Sequence, residues 1–491
     1  RYRHIVEDVA RGARRSEESV ARDAIALAEA APPDPEGHDR RRHVGYYLVD
    51  SGRAALEAVA GYQPTVGERV YRAVVRHPSV SYFTLIAALS ALAMTAFLAL
   101  VWPDTALAQA LLILLALVPV SEVAISTTNQ LVTFLLPPAR LPKLDFREQG
   151  LPDDQRTVVV VPTLLPNLDV VHEQLEHLEV QYLANRDPNL QFAILSDFVD
   201  APTEHVEGDD AIVAAAADGV RALNHAYCTG MPPTFHLFHR PRRLNERQGA
   251  WMGWERKRGK LAQFNAMLLG GPSTPFTTIV GDPAALRGAR YVVTLDSDTT
   301  LPHDTATLLA GTLAHPLNRP RYSAEAGRVT EGYGILQPRV GVALASAYRS
   351  RFAAIHSGHP GVDPYTTAVS DVYQDLYCEG SYTGKGIYDV ATFEQATQGR
   401  FPENAVLSHD LIEGAFARAA LVTDVELFDD YPASYLSHAR RKHRWIRGDW
   451  QLLPWLRSRV RGARGLESNP LSTISRWKIL DNLRRSLVEP S

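Results

Sequence analysis

Four groups of residues have the types and spacing that chemistry needs. The first is Asp296-Ser297-Asp298, which ends the apolar run of Tyr291, Val292, Val293 and Leu295. That run is rich in β-branched residues and reads as a buried strand. Ligands sit at the C-terminal edge of strands in an open α/β sheet, so both carboxylates land at the mouth of a cleft. There they suit a hard divalent cation, which in turn can hold a pyrophosphate. An Asx-turn capping the next helix competes with this reading, because Asp, Ser and Thr are good cap residues. The second group is Asp197, the end of QFAILSD (191–197). The third is Asp410 in Ser408-His409-Asp410, at the start of the helical run LIEGAFARAALV. The fourth is cationic and aromatic: Arg441, Lys442, His443, Arg444 and Trp445, inside HARRKHRWIRGDWQ.

Such groups need a scaffold to bring them together. TVVVVP (157–162) is a continuous apolar run of the kind buried on both faces in a parallel sheet. A helical segment around HEQLEHLEVQYLAN follows, then the strand 191–197, the helix AIVAAAADGVRALNHAY and a strand at TFHLFHR. Alternation of strand and helix predicts a doubly wound α/β sheet, with YVVTLDSD as a later strand of it. Gly- and Tyr-rich loops and helices are expected over 320–400, and helical patterns from 408 onward. The chain has 491 residues, enough for two or three structural units. Its formal charge of −4 argues against nucleic acid as the main partner. Two cysteines, Cys228 and Cys378, form no disulfide framework and no paired zinc motif. Starting at Arg1 and stopping mid-pattern at Ser491, the chain reads as a segment of something longer.

Residues 1–77 are basic and helical in pattern. His43, Tyr46 and Tyr47 lie there on a face that reads as packing more than recognition. Two membrane spans are predicted within 78–137. Ser81 to Trp102 is uncharged and long enough to cross the hydrocarbon core. Thr105 to Leu136 is interrupted by Glu122, so it either tilts or lays its second half against protein or the interface. Arg69, Arg72 and Arg76 before the spans, and Arg140 and Lys143 after them, put both outer ends in the cytoplasm. A buried hairpin of a soluble protein is the competing account. Near the C-terminus Leu471, Ile474, Trp477, Leu480, Leu483 and Leu487 form one apolar stripe. This predicts either an amphipathic helix in the bilayer interface or one packed on the catalytic domain.

Taken in order, the four groups resemble the D, DxD, D and (Q/R)xxRW pattern of membrane-embedded processive glycosyltransferases of the cellulose-synthase type. The spellings DSDTTLP, EGSYTGKGIYDV, SHDLIEG and RxxRW look most like the glycosyltransferase domain of cyclic β-1,2-glucan synthases, over roughly residues 40–491. The resemblance implies a GT-A fold, Rossmann-like and of the nucleotide-diphospho-sugar transferase type, with transmembrane and interfacial helices. Its catalytic domain would span 150–435 in the cytoplasm, at a bacterial inner (cytoplasmic) membrane. Residues 436–491 would carry the RxxRW helix and an interface helix leading to further spans.

The resemblance further implies UDP-glucose as donor and an inverting transfer that builds β-1,2-glucan. Asp298 and Asp296 would hold Mg2+ or Mn2+ against the diphosphate. Lys260 and Arg444 would share in neutralising it, with Arg441 beside them; a solvated basic loop around Arg256, Lys257 and Arg258 is the other account of Lys260. Asp197 would accept from the uracil ring N–H, or serve simply as a turn residue. Trp445 would stack a sugar or the base, or pack in a core. Asp410 would be the general base, or only a helix cap. Glu379, Tyr382 and Lys385 in EGSYTGKG are weaker candidates, and His303, His356, His359 and His409 read as surface or loop histidines. The resemblance also implies a glucan built on the protein itself, with Tyr322, Tyr333, Tyr365 and Tyr382 as candidate primers. The first strand ends VPTLLPN, without the acidic residue many such enzymes carry there. A synthase of cellulose or an aminosugar polymer, and a catalytically dead membrane scaffold, are the rival functions.

Overall fold

A computed structural model of the chain describes residues 2–34, 39–230, 232–357, 371–406, 409–462 and 465–488. Its centre is an eight-stranded mixed sheet. We number the strands β1 (Thr157–Leu165), β2 (Leu190–Phe198), β3 (Phe235–Arg240), β4 (Thr278–Val280), β5 (Tyr291–Thr294), β6 (Ile335–Val342), β7 (Gly386–Asp389) and β8 (Ala419–Asp429). Their spatial order is β8-β6-β7-β5-β1-β2-β3-β4. Strands β3, β2, β1 and β5 are mutually parallel, while β7 runs antiparallel between β5 and β6, and β8 is parallel to β6. The C-terminal ends of β1, β2, β5, β6 and β8 therefore share one edge with the start of β7.

Successive strand residues point to opposite faces, so the valine run splits between two cores. Val158 and Val160 join Ala193, Leu195 and Val292 under the helix Arg256–Leu268. Val159 and Val161 join Phe192, Ile194 and Val293 under the helices Leu168–Ala184, Asp209–Tyr227 and Thr305–Ala314. Burial on both faces is why this strand shows no polar alternation.

Two helices, Pro78–Leu100 and Ala106–Leu135, are long and apolar enough to cross a membrane. The second half of the longer one does lie against protein: the Tyr82 hydroxyl donates to Asn129 Oδ1 at 2.8 Å, and Glu122 pairs with Arg484 at 2.6 Å. Residues 2–34 and 39–62 form short helices around a core of Val6, Val9, Val20 and Leu56, and Tyr47 is buried there as packing.

Two expectations change. Strands β6 and β7 lie where loops and helices were expected, and β8 ends the helical run after Asp410. Arg418, at φ 55°, makes that break. The C-terminal stripe packs on protein at Leu471, Ile474 and Leu483, while Leu480 and Leu487 are exposed. In the helix Thr473–Val488, Ile474 and Leu483 are buried, and so is Lys478 on the polar side. The Lys478 ammonium donates to the carbonyls of Glu379 (3.1 Å) and Gly380 (2.7 Å). Trp477 packs edge-on against Phe83 of the first apolar helix.

Candidate active site

Asp296 and Asp298 follow β5 directly, on a turn closed by Thr299. The Thr299 N–H donates to the Asp296 carbonyl (3.1 Å) and the Asp296 N–H to Thr299 Oγ1 (3.3 Å). A bridge between Thr300 and Phe428 then straps this loop to the end of β8. That strap sets Asp429 beside it, and the Thr299 hydroxyl donates to Asp429 Oδ1 at 2.7 Å.

Two lysines converge on Asp296. Lys257, in the first turn of the helix Arg256–Leu268, places Nζ 2.5 Å from Oδ1 and also donates to the Gly384 carbonyl at 2.9 Å. Lys385, just before β7, lies 3.0 Å from Oδ2 and forms a second, closer pair with Asp429. Burial opposes the charge on Asp296, but Lys257 and Lys385 outweigh it and hold its pKa below the usual carboxylate range. Burial likewise works against both ammonium groups, and the facing carboxylates raise them above the ordinary lysine value. Asp298 goes the other way: burial, then Asp429 and Asp296, push its pKa up. One more positive charge would relieve that crowding.

Asp410 starts the helix Asp410–Ala417, and His409 stands at the cap position. The cap reading of Asp410 therefore does not hold; it is already inside the helix. It faces Lys257, whose pKa it helps raise. Gly384, at φ +88°, lies so close that a Cβ there would sit 2.7 Å from Asp410 Oδ1. The backbone of the EGSYTGKG loop thus approaches the carboxylate as only glycine permits. His409 is buried, not a surface histidine, with Nδ1 at 2.8 Å from Glu413 Oε2 and 3.5 Å from Asp410 Oδ1. Burial lowers its pKa, and Glu413 and Asp410 reverse that to a net rise. Ser408 lies outside the described residues.

Asp197 and Lys260 are brought together, but away from this cluster. Arg240 grips the Asp197 carboxylate at 2.7 and 2.8 Å, and Lys260 Nζ lies 3.1 Å from Oδ2. All three are sealed, at 1–2% exposure. Lys260 also donates to the Thr163 carbonyl at 2.6 Å, and burial pushes its pKa down to about 8. Lys260 is thus a buried partner of Asp197, neither a solvated loop residue nor the cation at the strand-end carboxylates. Lys257, one helical turn earlier, is that cation. The i, i+3 spacing in KRGK carries the signal, since it puts both lysines on one helix face.

Arg441, Arg444 and Trp445 lie on the helix Tyr435–Gln451. Arg441 stacks over Trp445 (5.2 Å) and over Tyr431 (5.9 Å), two residues past Asp429. Among the described residues none of the three pairs with Asp296, Asp298 or Asp410. Trp445 is 51% exposed, so it is not a core tryptophan. Arg444 shares one face of this helix with Leu436, Ala439, Arg440 and His443. Of the weaker candidates, Glu379 serves the C-terminal helix, its carboxylate accepting from the Ser475 hydroxyl at 3.0 Å. Tyr382 and Tyr333 are buried and unsuited to priming, Tyr322 is half-buried, and Tyr365 and His359 lie outside the described residues.

Which residues fit a divalent cation follows from donor type and charge. Among the described residues, His409, Asp410 and Glu413 bring ligand atoms within 4.8 Å of one another. Asp296, Asp298 and Asp429 are hard oxygen donors spread more widely about Lys385. Counting Asp296, Asp298, Asp410 and Asp429 against Lys257 and Lys385 leaves two negative charges. A divalent cation balances that charge, and oxygen donors suit it.

The fold and site define a chain with two potential membrane helices and an α/β sheet whose strand ends gather carboxylates and ammonium groups. No protein-family model matches it. The chain is 42% identical over 99% of its length to cyclic beta-(1,2)-glucan synthase NdvB of Rhizobium meliloti (strain 1021). It spans 17% of the length of that protein, so it is related along its whole extent to one segment of a cyclic β-glucan synthase.

Proposed function

We propose that this chain is the glycosyltransferase segment of a cyclic β-1,2-glucan synthase, transferring glucose from UDP-glucose with inversion. The observation that carries the reading is the meeting of Asp296, Lys257, Lys385 and Asp410 at the sheet edge, in a chain with that relative. A leaving nucleoside diphosphate gathers negative charge, which two ammonium groups are suited to meet. Asp298 with Asp296 would hold a divalent cation, Mg2+ or Mn2+, which when bound supplies Lewis-acid neutralisation of the diphosphate.

Asp410 takes the proton of the acceptor hydroxyl as that oxygen attacks the anomeric carbon. The bond to the diphosphate breaks on the opposite face, and an α-linked donor gives a β product. Asp197, held by Arg240 and Lys260, positions the end of β2 beside the nucleotide pocket. Arg441, Arg444 and Trp445 offer an exposed cationic and aromatic surface to the growing glucan. We assign the catalytic unit to 150–435 as a GT-A type domain, with 78–137 in the membrane, 1–77 as a helical preface and 436–491 leading back to the bilayer. Basic flanks on both outer ends put this unit in the cytoplasm at a bacterial inner membrane. For a protein-linked glucan, Tyr322 is the remaining described candidate.

Product analysis of membranes carrying the chain, incubated with UDP-glucose and Mn2+, tests the reading. Expected is glucose in β-1,2 linkage; a product from another UDP-sugar, or of another linkage, overturns the assignment, and no transfer at all favours the scaffold account.

A further inference from the structure

Lys385 is shared by two carboxylates that arrive from different strands. Its ammonium lies 3.0 Å from Asp296 Oδ2, past the end of β5, and closer still to Asp429 Oδ2 at the end of β8. The Lys385 side chain is 12% exposed, so its ammonium is held by these two carboxylates and has little contact with bulk water. Asp429 is itself fixed, its other oxygen accepting from Thr299. A lysine kept only to meet a diphosphate would leave its ammonium open to the ligand. Lys385 instead fills the space between the carboxylates, where a hard cation would also be most stabilised.

Resting on the reading of Asp296 and Asp298 as cation ligands, we propose that Lys385 is the resident counter-cation of the nucleotide-free site. A divalent ion enters by displacing its ammonium from Asp296, and Asp429 retains the released lysine. Asp429 is then a positioning residue, and the exchange ties cation loading to a lysine aimed at the diphosphate. No bond other than ion pairs is made or broken, and the exchange needs no co-reactant.

Three neighbours enter the exchange. Lys257 remains on Asp296 Oδ1 and on the Gly384 carbonyl, so the carboxylate keeps one ammonium after Lys385 leaves. Gly384 precedes Lys385 with φ +88°, which frees the hinge residue from the limits of a side chain. Thr383 is anchored by its N–H to Gln337 Oε1 at 2.9 Å, so movement is confined to Gly384 and Lys385.

The test is a double-mutant cycle on Mn2+ affinity, read from the electron paramagnetic resonance of free Mn2+ over detergent-solubilised full chain without nucleotide. Lys385→Met removes the competitor and should tighten Mn2+ binding on the order of tenfold. Asp429→Asn leaves Lys385 with Asp296 alone, so competition grows and Mn2+ binding should weaken. In the Lys385→Met background, where only the through-space charge is lost, Asp429→Asn should weaken Mn2+ binding less than it does in the parent. Lys385→Arg keeps a cation in place and should stay near the parent. A damaged fold does not tighten binding, so the gain with Lys385→Met separates exchange from misfolding; Lys385→Gln serves as a second neutral variant. Unchanged or weaker binding in both neutral variants overturns the proposal. Equal losses from Asp429→Asn in both backgrounds also overturn it, because they make Asp429 a ligand or a through-space charge. A parent that takes up no Mn2+ overturns this inference together with the cation reading, whereas a parent that binds Mn2+ without the predicted coupling overturns this inference alone.

Discussion

Asp197→Asn separates a structural role from a nucleotide contact. Asp197 is 1% exposed and both its oxygens are held, by Arg240 at 2.7 and 2.8 Å and by Lys260 at 3.1 Å. The triad already carries one excess positive charge, which is part of why Lys260 sits down at about 8. Asn keeps the shape but leaves two cations in a sealed space. Removing one partner of a buried ion pair costs about 3–5 kcal/mol. At roughly 2–4 °C per kcal/mol, the thermal midpoint should fall by about 6–20 °C. Lys260→Met should cost less, because Asp197 keeps its bidentate arginine and the triad becomes neutral. Intrinsic-fluorescence melting of detergent-purified chain, alongside UDP binding on the same sample, makes the measurement. An Asn variant that melts with the parent but no longer binds UDP would refute the structural argument and restore Asp197 as the base contact.

Lys257→Met should weaken UDP binding roughly tenfold or more, the worth of a charged hydrogen bond, while Lys260→Met should not; titration calorimetry distinguishes them. Trp445→Ala should leave the melting midpoint nearly unchanged, since the ring is half exposed, and lower glucan elongation; a large loss of stability would return it to the core. Burial holds His236, His239 and His315 down at about 4, against an ordinary 6.5. The unfolded chain takes up those protons first, so their stabilising contribution is complete above pH 6.5 and is lost as pH falls toward 4. Melting midpoints across pH 4–7 should drop in that window, and a flat profile contradicts the assignment.

The first half of the catalytic sheet was legible because valine runs buried on both faces leave a strong signal. So were the two apolar helices, whose composition alone separates them from the rest. The far half was not. Ala419–Asp429 continues without a break from an apolar helix, and the turn between them rests on Arg418 in the left-handed region, which no residue type announces. Missing β8 meant missing Asp429, which is brought to the site by the pairing of β8 with β6 and by the Thr300–Phe428 bridge. Lys257 hid among four basic residues, and only the position of the helix decides that it, not Lys260, reaches Asp296. His409 was passed over because its partner Glu413 is a helical neighbour, and burial, which gives the pair its meaning, is a tertiary property. Asp296, Asp298 and Asp410 stood out since each ends or starts an element at the edge where ligands bind.

The central claim is that this sheet edge transfers glucose with Asp410 as the base, and Asp410→Asn tests it most directly. Asn matches the aspartate in size but cannot accept a proton. Measured in one membrane preparation, UDP affinity should stay near that of the parent while transfer from UDP-glucose falls by about 10²–10⁴-fold. An Asn variant that binds UDP and elongates glucan at about half the parental rate would contradict the claim, and Glu413 would then be the carboxylate to examine.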